Sequence, residues 1–309
     1  MTPLPRRSLL AAALACAAAP VFAQAPRGGR IVASFSILAD LVREVAPLDF
    51  EVGSLVGADA DAHAWEPRPG DVRKLAGADL VVVNGLGFEG WMTRLVKNSG
   101  YRGEIVVASA GITPRHAAHD DHDHDHGHGH DHGDADPHAW QDLAHAQRYV
   151  ATIAAALARR WPQRRAEFEA RAAAYGERLA VLDTRLRRLV DTVPREQRRV
   201  ITSHDAFGYL GAAYGIEFLA PQGWTTHSEP SAAAVGRLVR QIRQQKVRAV
   251  FVENISDPRL VERIARETGA RLGGRLYSDA LSAPGGPAAS FVALYEYNVR
   301  ALVAGMSGA

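Results

Sequence analysis

Apolar and polar positions follow one another along the chain in blocks that predict short buried strands separated by helices. The first part of the chain has four predicted strands, at 30–35, 50–56, 78–85 and 104–109. Helices are predicted between them, over 36–46 with Ser36 as a candidate cap, over 71–76 and within 87–99. Strands that alternate with helices in this way predict a parallel sheet covered on both faces.

The second part of the chain repeats this pattern. Strands are predicted at 199–204, 215–220, 249–254 and within 271–279, and helices at 207–214, 231–245, 258–268 and about 288–303. A Glu-Pro pair precedes a helix in each part, at Glu66-Pro67 and Glu229-Pro230. The repeat predicts an α/β protein with two similar domains, each a four-stranded parallel sheet with helices on both faces.

The clearest periodicity lies between the two repeats. Apolar residues spaced alternately four and three apart are Phe168, Ala172, Tyr175, Leu179, Leu182, Leu186, Leu189 and Val193. This spacing predicts one long helix, 163–193, with a single apolar face. A coiled-coil dimer is the alternative, but a rigid helix joining two α/β domains explains its central position better. We therefore expect domains over 24–140 and 195–309, joined by linking helices over 141–194.

The N-terminus has the features of a secretory signal. Arg6 and Arg7 precede an apolar run that ends in Val21-Phe22-Ala23, which predicts a cleaved signal peptide over 1–23 and a periplasmic protein. The arginine pair resembles a twin-arginine signal, although the general secretory route is favoured. Cys16 is the only cysteine and lies inside this segment, so the mature chain would have no disulfide. As a lipid-attachment site, Cys16 would instead place the cleavage before itself.

Composition and charge narrow the classes of partner. The chain is 47% hydrophobic and 23% charged, which is ordinary for a globular protein, and its formal net charge is +2. This balance does not indicate a nucleic-acid partner. The arginine-rich run from 185 to 199 is interpreted as surface charge, and nothing after the signal is apolar enough to suggest a membrane span.

Histidine, aspartate and glycine dominate the segment 115–136. The histidines that we expect to form weak auxiliary metal sites are His116, His119, His122, His124, His126, His128, His130 and His132. A run of this composition cannot bury a core, so it predicts a mobile loop, and imidazole and carboxylate groups are ligands for Zn²⁺, Cu²⁺ or Ni²⁺. A solvated polar loop without function is one alternative. An expression tag is another, but tags are terminal and uninterrupted by Asp.

Four further side chains follow predicted strands in the two repeats. His63 and His138 follow the second and fourth strands of the first repeat, and His204 and Asp279 end the first and fourth strands of the second. Ligands bind beyond the carboxyl ends of parallel strands, so all four can face one cleft. Three imidazoles and one carboxylate predict a tetrahedral Zn²⁺ site.

Six segments, in this order, resemble the periplasmic solute-binding proteins of zinc and manganese ABC importers, the metal-binding cluster A-I family. They read DAHAWEPRPGD, ADLVVVNGLGFEGWM, DPHAW, TSHDAFGYL, HSEPS and YSDALS, within about 27–305. The resemblance implies two α/β domains bridged by a long rigid helix, with the metal buried between them. It also implies His63, His138, His204 and Asp279 as ligands. The histidine-rich segment and His204, where manganese members usually carry Glu, are typical of zinc members.

The sequence departs from the family at two points. Asp61-Ala62-His63 stands where the family usually has Asp-Pro-His, and the disulfide common in the second domain of zinc members is absent. Several other residues are weaker candidates for the cleft. Glu66 is an alternative ligand, although its Glu-Pro turn is explained more simply as a cap of the following helix. His227 is placed at the cleft rim or on the surface, and His145 is explained better as a core or surface residue than as a ligand. The remaining candidates are Glu253 and Asp257 as cleft-lining residues, and Trp65, Trp140 and Phe207 as apolar neighbours of the ligands.

The predicted function is capture of Zn²⁺ in the periplasm and its delivery to an ABC permease in the inner membrane, by a monomer that catalyses no reaction. The alternatives are a manganese-binding importer component, a secreted zinc buffer or chaperone, and a zinc hydrolase. A catalytic zinc keeps one open position, and four protein ligands leave none. The chain also lacks HExxH.

Overall fold

The computed structural model describes residues 28–116 and 135–308. The predicted signal peptide and most of the histidine-rich segment therefore lie outside the described residues. The first half is an α/β unit whose strands are β1 (Arg30–Phe35), β2 (Glu51–Val56), β3 (Leu80–Val83) and β4 (Ile105–Val107), with helices α1 (Ser36–Val45), α2 (Pro69–Ala76) and α3 (Met92–Ser99). All strands are parallel, in the order β2-β1-β3-β4.

Two long helices connect this half to the second. A short 3-10 turn (Ala139–Gln141) leads into α4 (Leu143–Arg160), and α5 (Arg165–Val190) runs for 26 residues. The predicted apolar stripe is the buried face of α5, with Phe168, Leu179 and Leu186 at 0–1% exposure. Each fully buried side chain of this kind contributes about 1.5–3 kcal/mol. The helix packs along α4, α1 and α9 of the same chain, which makes it an intramolecular element that links the two halves.

The second half has the same strand order as the first. Its elements are β5 (Arg199–Ile201), α6 (Gly208–Tyr214), β6 (Glu217–Leu219), α7 (Ala232–Gln245), β7 (Ala249–Glu253), α8 (Pro258–Thr268), β8 (Arg271–Leu276) and α9 (Phe291–Ser307). The sheet order is β6-β5-β7-β8, again all parallel. The two predicted four-stranded parallel sheets are therefore confirmed. Among the described residues, no helix is both long and apolar enough to cross a bilayer.

Both faces of the second sheet are covered. Neighbouring strand residues point to opposite sides, and Val200 and Phe251 enter the large core while Ile201 and Val250 enter a smaller cluster beneath α7 and α8. The large core continues without a break from the first sheet through α4, α5 and α9 to the second sheet. The halves therefore share one apolar core near the linking helices.

The start of α1 also ties the halves together. The predicted cap at Ser36 is wrong, because Ser36 is the first residue of the helix and Phe35 occupies the cap position without a side-chain hydrogen bond. The Ser36 hydroxyl instead accepts a hydrogen bond from the Leu281 backbone N–H at 3.0 Å. A serine that a local pattern assigns to a cap is thus used for a contact across the cleft.

Candidate functional site

Four side chains from both halves meet between the carboxyl ends of the two sheets. They are His63, His138, His204 and Asp279, and one donor atom from each lies within 4.8 Å of the others. All four are buried, with exposures of 0–2%. The fold therefore brings together the four residues that were predicted from the sequence.

The spacing of the donor atoms fits a small tetrahedral site. His63 Nε2 lies 3.3 Å from both His138 Nε2 and Asp279 Oδ2. His204 Nε2 lies 3.2 Å from Asp279 Oδ2, and His138 Nε2 lies 3.6 Å from Asp279 Oδ1. A tetrahedron with metal–ligand bonds of about 2.0–2.1 Å has edges of about 3.3 Å. The four donors can thus contact one ion with little movement.

A buried carboxylate orients His138. Asp136 Oδ1 accepts the His138 backbone N–H at 3.0 Å and lies 2.8 Å from the ring atom Nδ1. A carboxylate oxygen only accepts, so Nδ1 carries the ring proton and Nε2 presents its lone pair to the other donors. Gly208 makes room for this carboxylate, because a Cβ there would lie 2.9 Å from Asp136 Oδ2.

A second buried carboxylate holds the backbone of His204 and approaches its ring. Glu253 ends β7 at 1% exposure. Its Oε1 accepts the His204 backbone N–H at 2.9 Å, and its Oε2 lies 2.6 Å from His204 Nδ1. The sequence placed Glu253 at the cleft but did not reveal this pairing, nor the role of Asp136. The local signals were that Glu253 follows an apolar run at the end of a strand and that Asp136 opens the DPHAW segment.

His63 is held by its turn and by aromatic rings. Its backbone N–H donates to Asp61 Oδ1 at 2.8 Å, and the Trp91 indole donates to the neighbouring Ala62 carbonyl at 2.8 Å. The Phe88 ring packs edge-on against the imidazole at 4.6 Å between centroids. Asp61 therefore fixes the turn, although Ala62 replaces the proline of the family pattern.

Asp279 is tied to the segment that carries His138. The carbonyl of Ser278 accepts hydrogen bonds from Trp140 Nε1 at 3.1 Å and from Gln141 Nε2 at 2.8 Å. The Trp140 ring also packs against the His138 ring at 5.3 Å, as expected for an apolar neighbour. These hydrogen bonds thus link the segment that carries His138 to the segment that carries Asp279.

The electrostatics of the cluster favour a cation at its centre. Burial strongly opposes charge on His204, but the Glu253 and Asp279 carboxylates outweigh burial and raise the pKa of His204 well above its ordinary value. Burial also opposes charge on Asp279, but the imidazoles of His138 and His204 bring the pKa of this carboxyl well below its usual range. For His63 burial dominates and lowers the pKa. An ionised carboxylate thus faces a ring of imidazoles.

Among the residues that the structure describes, none of the other candidates belongs to the group of four donors. Glu66 and His227 are exposed, Asp257 caps α8 and pairs with Arg259, and His145 stacks edge-on against Tyr209 at 5.3 Å. Trp65 packs against Trp91, and Phe207 against Phe218. Among the histidines of the auxiliary set, His116 forms an antiparallel bridge with Ala135, whereas His119, His122, His124, His126, His128, His130 and His132 lie outside the described residues.

Comparisons with known proteins identify the family. The family model of ZnuA, the zinc-uptake complex component A, periplasmic, matches residues 31–305. The manganese-binding lipoprotein MntA of Halalkalibacterium halodurans is 31% identical over 280 residues, covering 91% of this chain and 89% of MntA. The zinc-binding protein TroA of Treponema pallidum is 32% identical over 283 residues, covering 90% and 88%.

The solved structure of TroA, a periplasmic zinc-binding protein, has the same architecture. It superposes with a TM-score of 0.81 at 29% identity, covering 90% of this chain and 99% of TroA. The family match over residues 31–305 includes every segment that supplies one of the four donors. The chain therefore belongs to the ZnuA family of periplasmic metal-binding proteins, and it is the solute-binding component of an ABC transporter rather than an enzyme.

Proposed function

We propose that this protein captures Zn²⁺ between its two halves and delivers the ion to an ABC permease in the inner membrane. The ligands in this proposal are His63, His138, His204 and Asp279. The observation that carries it is the set of three imidazole nitrogens and one carboxylate, all buried and within 4.8 Å of one another. Four protein ligands complete a tetrahedral site, so no coordination position is left for a catalytic water.

The choice of Zn²⁺ over Mn²⁺ rests on the donor set. Relatives with similar sequence identity to this chain are named for manganese and for zinc. Family membership therefore does not identify the metal ion. Imidazole nitrogen suits Zn²⁺, whereas carboxylate, carbonyl and water oxygens suit Mn²⁺. Three nitrogens against one carboxylate support zinc.

Competition between the two ions tests this proposal. We expect the purified mature protein to hold one Zn²⁺ per chain tightly, and to bind Mn²⁺ more weakly by about two orders of magnitude or more. The measurement is metal content by mass spectrometry together with a titration in which each ion competes against a chromophoric chelator. Comparable affinities for Mn²⁺ and Zn²⁺ would contradict the zinc assignment.

The affinity for Zn²⁺ should depend strongly on pH. Imidazoles bind metal only when neutral, so protons compete with the ion. The raised pKa of His204 means that its proton competes already near neutral pH, whereas the lowered pKa of His63 delays its protonation to more acidic solution. We expect the affinity to fall as pH drops below about 7 and to fall more steeply below about 6. Chelator competition between pH 5 and 8 measures this, and a flat profile would argue against a three-imidazole site.

The proposal also covers the export, the domain organisation and the oligomeric state of the protein. We propose that 1–23 is removed on export, that the domains span 24–140 and 195–309 around the linking helices 141–194, and that the mature protein acts as a monomer. The histidines of 115–136 are proposed as weaker auxiliary sites that gather Zn²⁺ near His138. Attachment of lipid at Cys16 is the alternative for the N-terminus, and mass spectrometry of the exported protein separates the two.

A further inference from the structure

Asp59 joins the segment that leads to the first ligand to the second half of the protein. It lies within 57–62, between β2 and that ligand. Its backbone N–H donates to the Leu281 carbonyl at 2.9 Å. Its Oδ1 accepts a hydrogen bond from Asn254 Nδ2 at 3.0 Å, and its Oδ2 accepts one from the Ala283 backbone N–H at 3.0 Å. Both oxygens of this carboxylate are therefore bound by donors of the second half.

The backbone of Asp59 has a conformation that favours glycine. Its φ is +50°, in the left-handed region where a Cβ crowds the following carbonyl oxygen. Glycine adopts this conformation without that clash, and aspartate tolerates it better than most residues do. The turn alone would thus be satisfied best by glycine, whereas the aspartate side chain provides two of the three contacts with the second half. These contacts, rather than the turn, therefore explain the aspartate.

The same segment is fastened to the second half at another point. Asp61 Oδ1 accepts the His63 backbone N–H at 2.8 Å, and Asp61 Oδ2 accepts the Thr226 hydroxyl at 2.5 Å. The backbone partners of Asp59 lie shortly after the ligand Asp279 in the sequence. The segments that carry a ligand of each half are thus joined by contacts outside the group of four donors. Movement of the first segment away from the second half would withdraw His63 and would break these contacts.

We propose that Asp59 is a positioning residue that slows release of the ion, because its carboxylate fastens the segment that carries His63 to the second half. Each hydrogen bond that must break before the ligands separate makes the open state less populated, and the ion leaves more slowly. The inference rests on the proposed site, whose four donors do not include Asp59. It adds that the residence time of the ion depends on a residue outside that group.

Two variants of Asp59 test the proposal through the rate of Zn²⁺ release. Asp59→Gly keeps the backbone conformation but removes both side-chain hydrogen bonds, so we expect Zn²⁺ to dissociate about 3–10-fold faster. Asp59→Asn offers one acceptor oxygen to two donors, so its rate should lie between those of the parent protein and Asp59→Gly. Stopped-flow mixing of the Zn²⁺-loaded protein with excess chelator measures these rates. The visible spectrum of the Co²⁺-loaded protein should stay unchanged in both variants, because the four donors remain.

The matched control is Lys246→Gly, which relieves the same kind of backbone conformation at the end of α7, where φ is +51°. It should leave the rate of release unchanged. Hydrogen exchange of the metal-free protein tests the contact without an ion, and the His63 amide should exchange about 3–10-fold faster in Asp59→Gly than in the control. Release and exchange rates in Asp59→Gly that equal those of the parent protein would overturn the inference, as would an equal rise in the control. A parent protein without one tight Zn²⁺ would instead overturn the proposed function.

Discussion

Replacing His63 with alanine is expected to lower Zn²⁺ affinity by about two to three orders of magnitude while the metal-free protein stays folded. A four-ligand zinc site contributes about 10–16 kcal/mol in all at pH 7, so one ligand is worth about 2.5–4 kcal/mol. His63 is the ligand whose removal should disturb the charge balance of the cluster least, because burial lowers its pKa and the side chain is neutral in the metal-free protein. Its loss therefore strips no buried cation from the cluster.

Titration calorimetry with a competing chelator measures this loss, and thermal unfolding without metal checks the fold. The matched control is His227→Ala, which removes an exposed histidine outside the cluster and should leave the tight site unchanged. Tight binding that survives His63→Ala would mean that the primary site lies elsewhere. An equal loss in the His227 variant would point to a nonspecific effect of removing histidine.

The variant His204→Ala should behave differently from His63→Ala. It also removes a ligand, but it leaves the buried carboxylates of Glu253 and Asp279 without the imidazole that faces both. A group whose pKa is raised on folding stabilises the native state fully below its unfolded pKa of about 6.5, and this contribution is lost as pH rises through the folded pKa. The metal-free variant should therefore be destabilised most at low pH. Thermal unfolding from pH 5 to 8 would show this trend.

The strands and the cluster could be predicted from the sequence because both depend on local patterns. A buried strand such as β3 is an unbroken apolar run, and the apolar stripe of α5 keeps its spacing along the whole helix. His138 and Asp279 each follow the last strand of a repeat, and parallel strands place such positions at one edge. Two similar repeats were then sufficient to bring four distant residues to one cleft.

The contacts that orient the ligands could not be predicted in this way. Glu253 meets His204 across 49 positions of sequence, and Ser36 meets Leu281 across 245. Such pairings depend on how the strands lie side by side and how the halves dock, and no spacing of residues encodes them. The same holds for Phe88, which contacts His63 although Trp65 is nearer in sequence.

Removing 117–134 is expected to lower the number of metal ions bound per chain while leaving one tight site. The sequence of this segment is rich in histidine, aspartate and glycine, and ordering such a chain around metal costs conformational entropy. Ligands at strand ends are already held by the fold. The segment should therefore account for several weaker ions with faster exchange, and the cleft for the single tight one.

The structure shows where to make this deletion. His116 and Ala135 form an antiparallel bridge, and the Asp136 backbone N–H donates to the Arg115 carbonyl at 2.8 Å. The two ends are therefore adjacent, so a short glycine linker can join them. Arg115 must be kept, because its guanidinium lies 3.8 Å from the carboxylate that orients His138.

Calorimetry on this deletion and on His63→Ala should give opposite outcomes. The deletion should retain one Zn²⁺ of unchanged affinity and lose the weak ions, whereas His63→Ala should lose the tight ion and keep the weak ones. A deletion that also removes Arg115 should weaken the tight site modestly, because Asp136 loses its cationic neighbour and holds His138 less firmly. If the deletion of 117–134 alone abolishes tight binding, the primary site includes the histidine-rich segment. The four buried donors would then be a structural cluster rather than the site of capture.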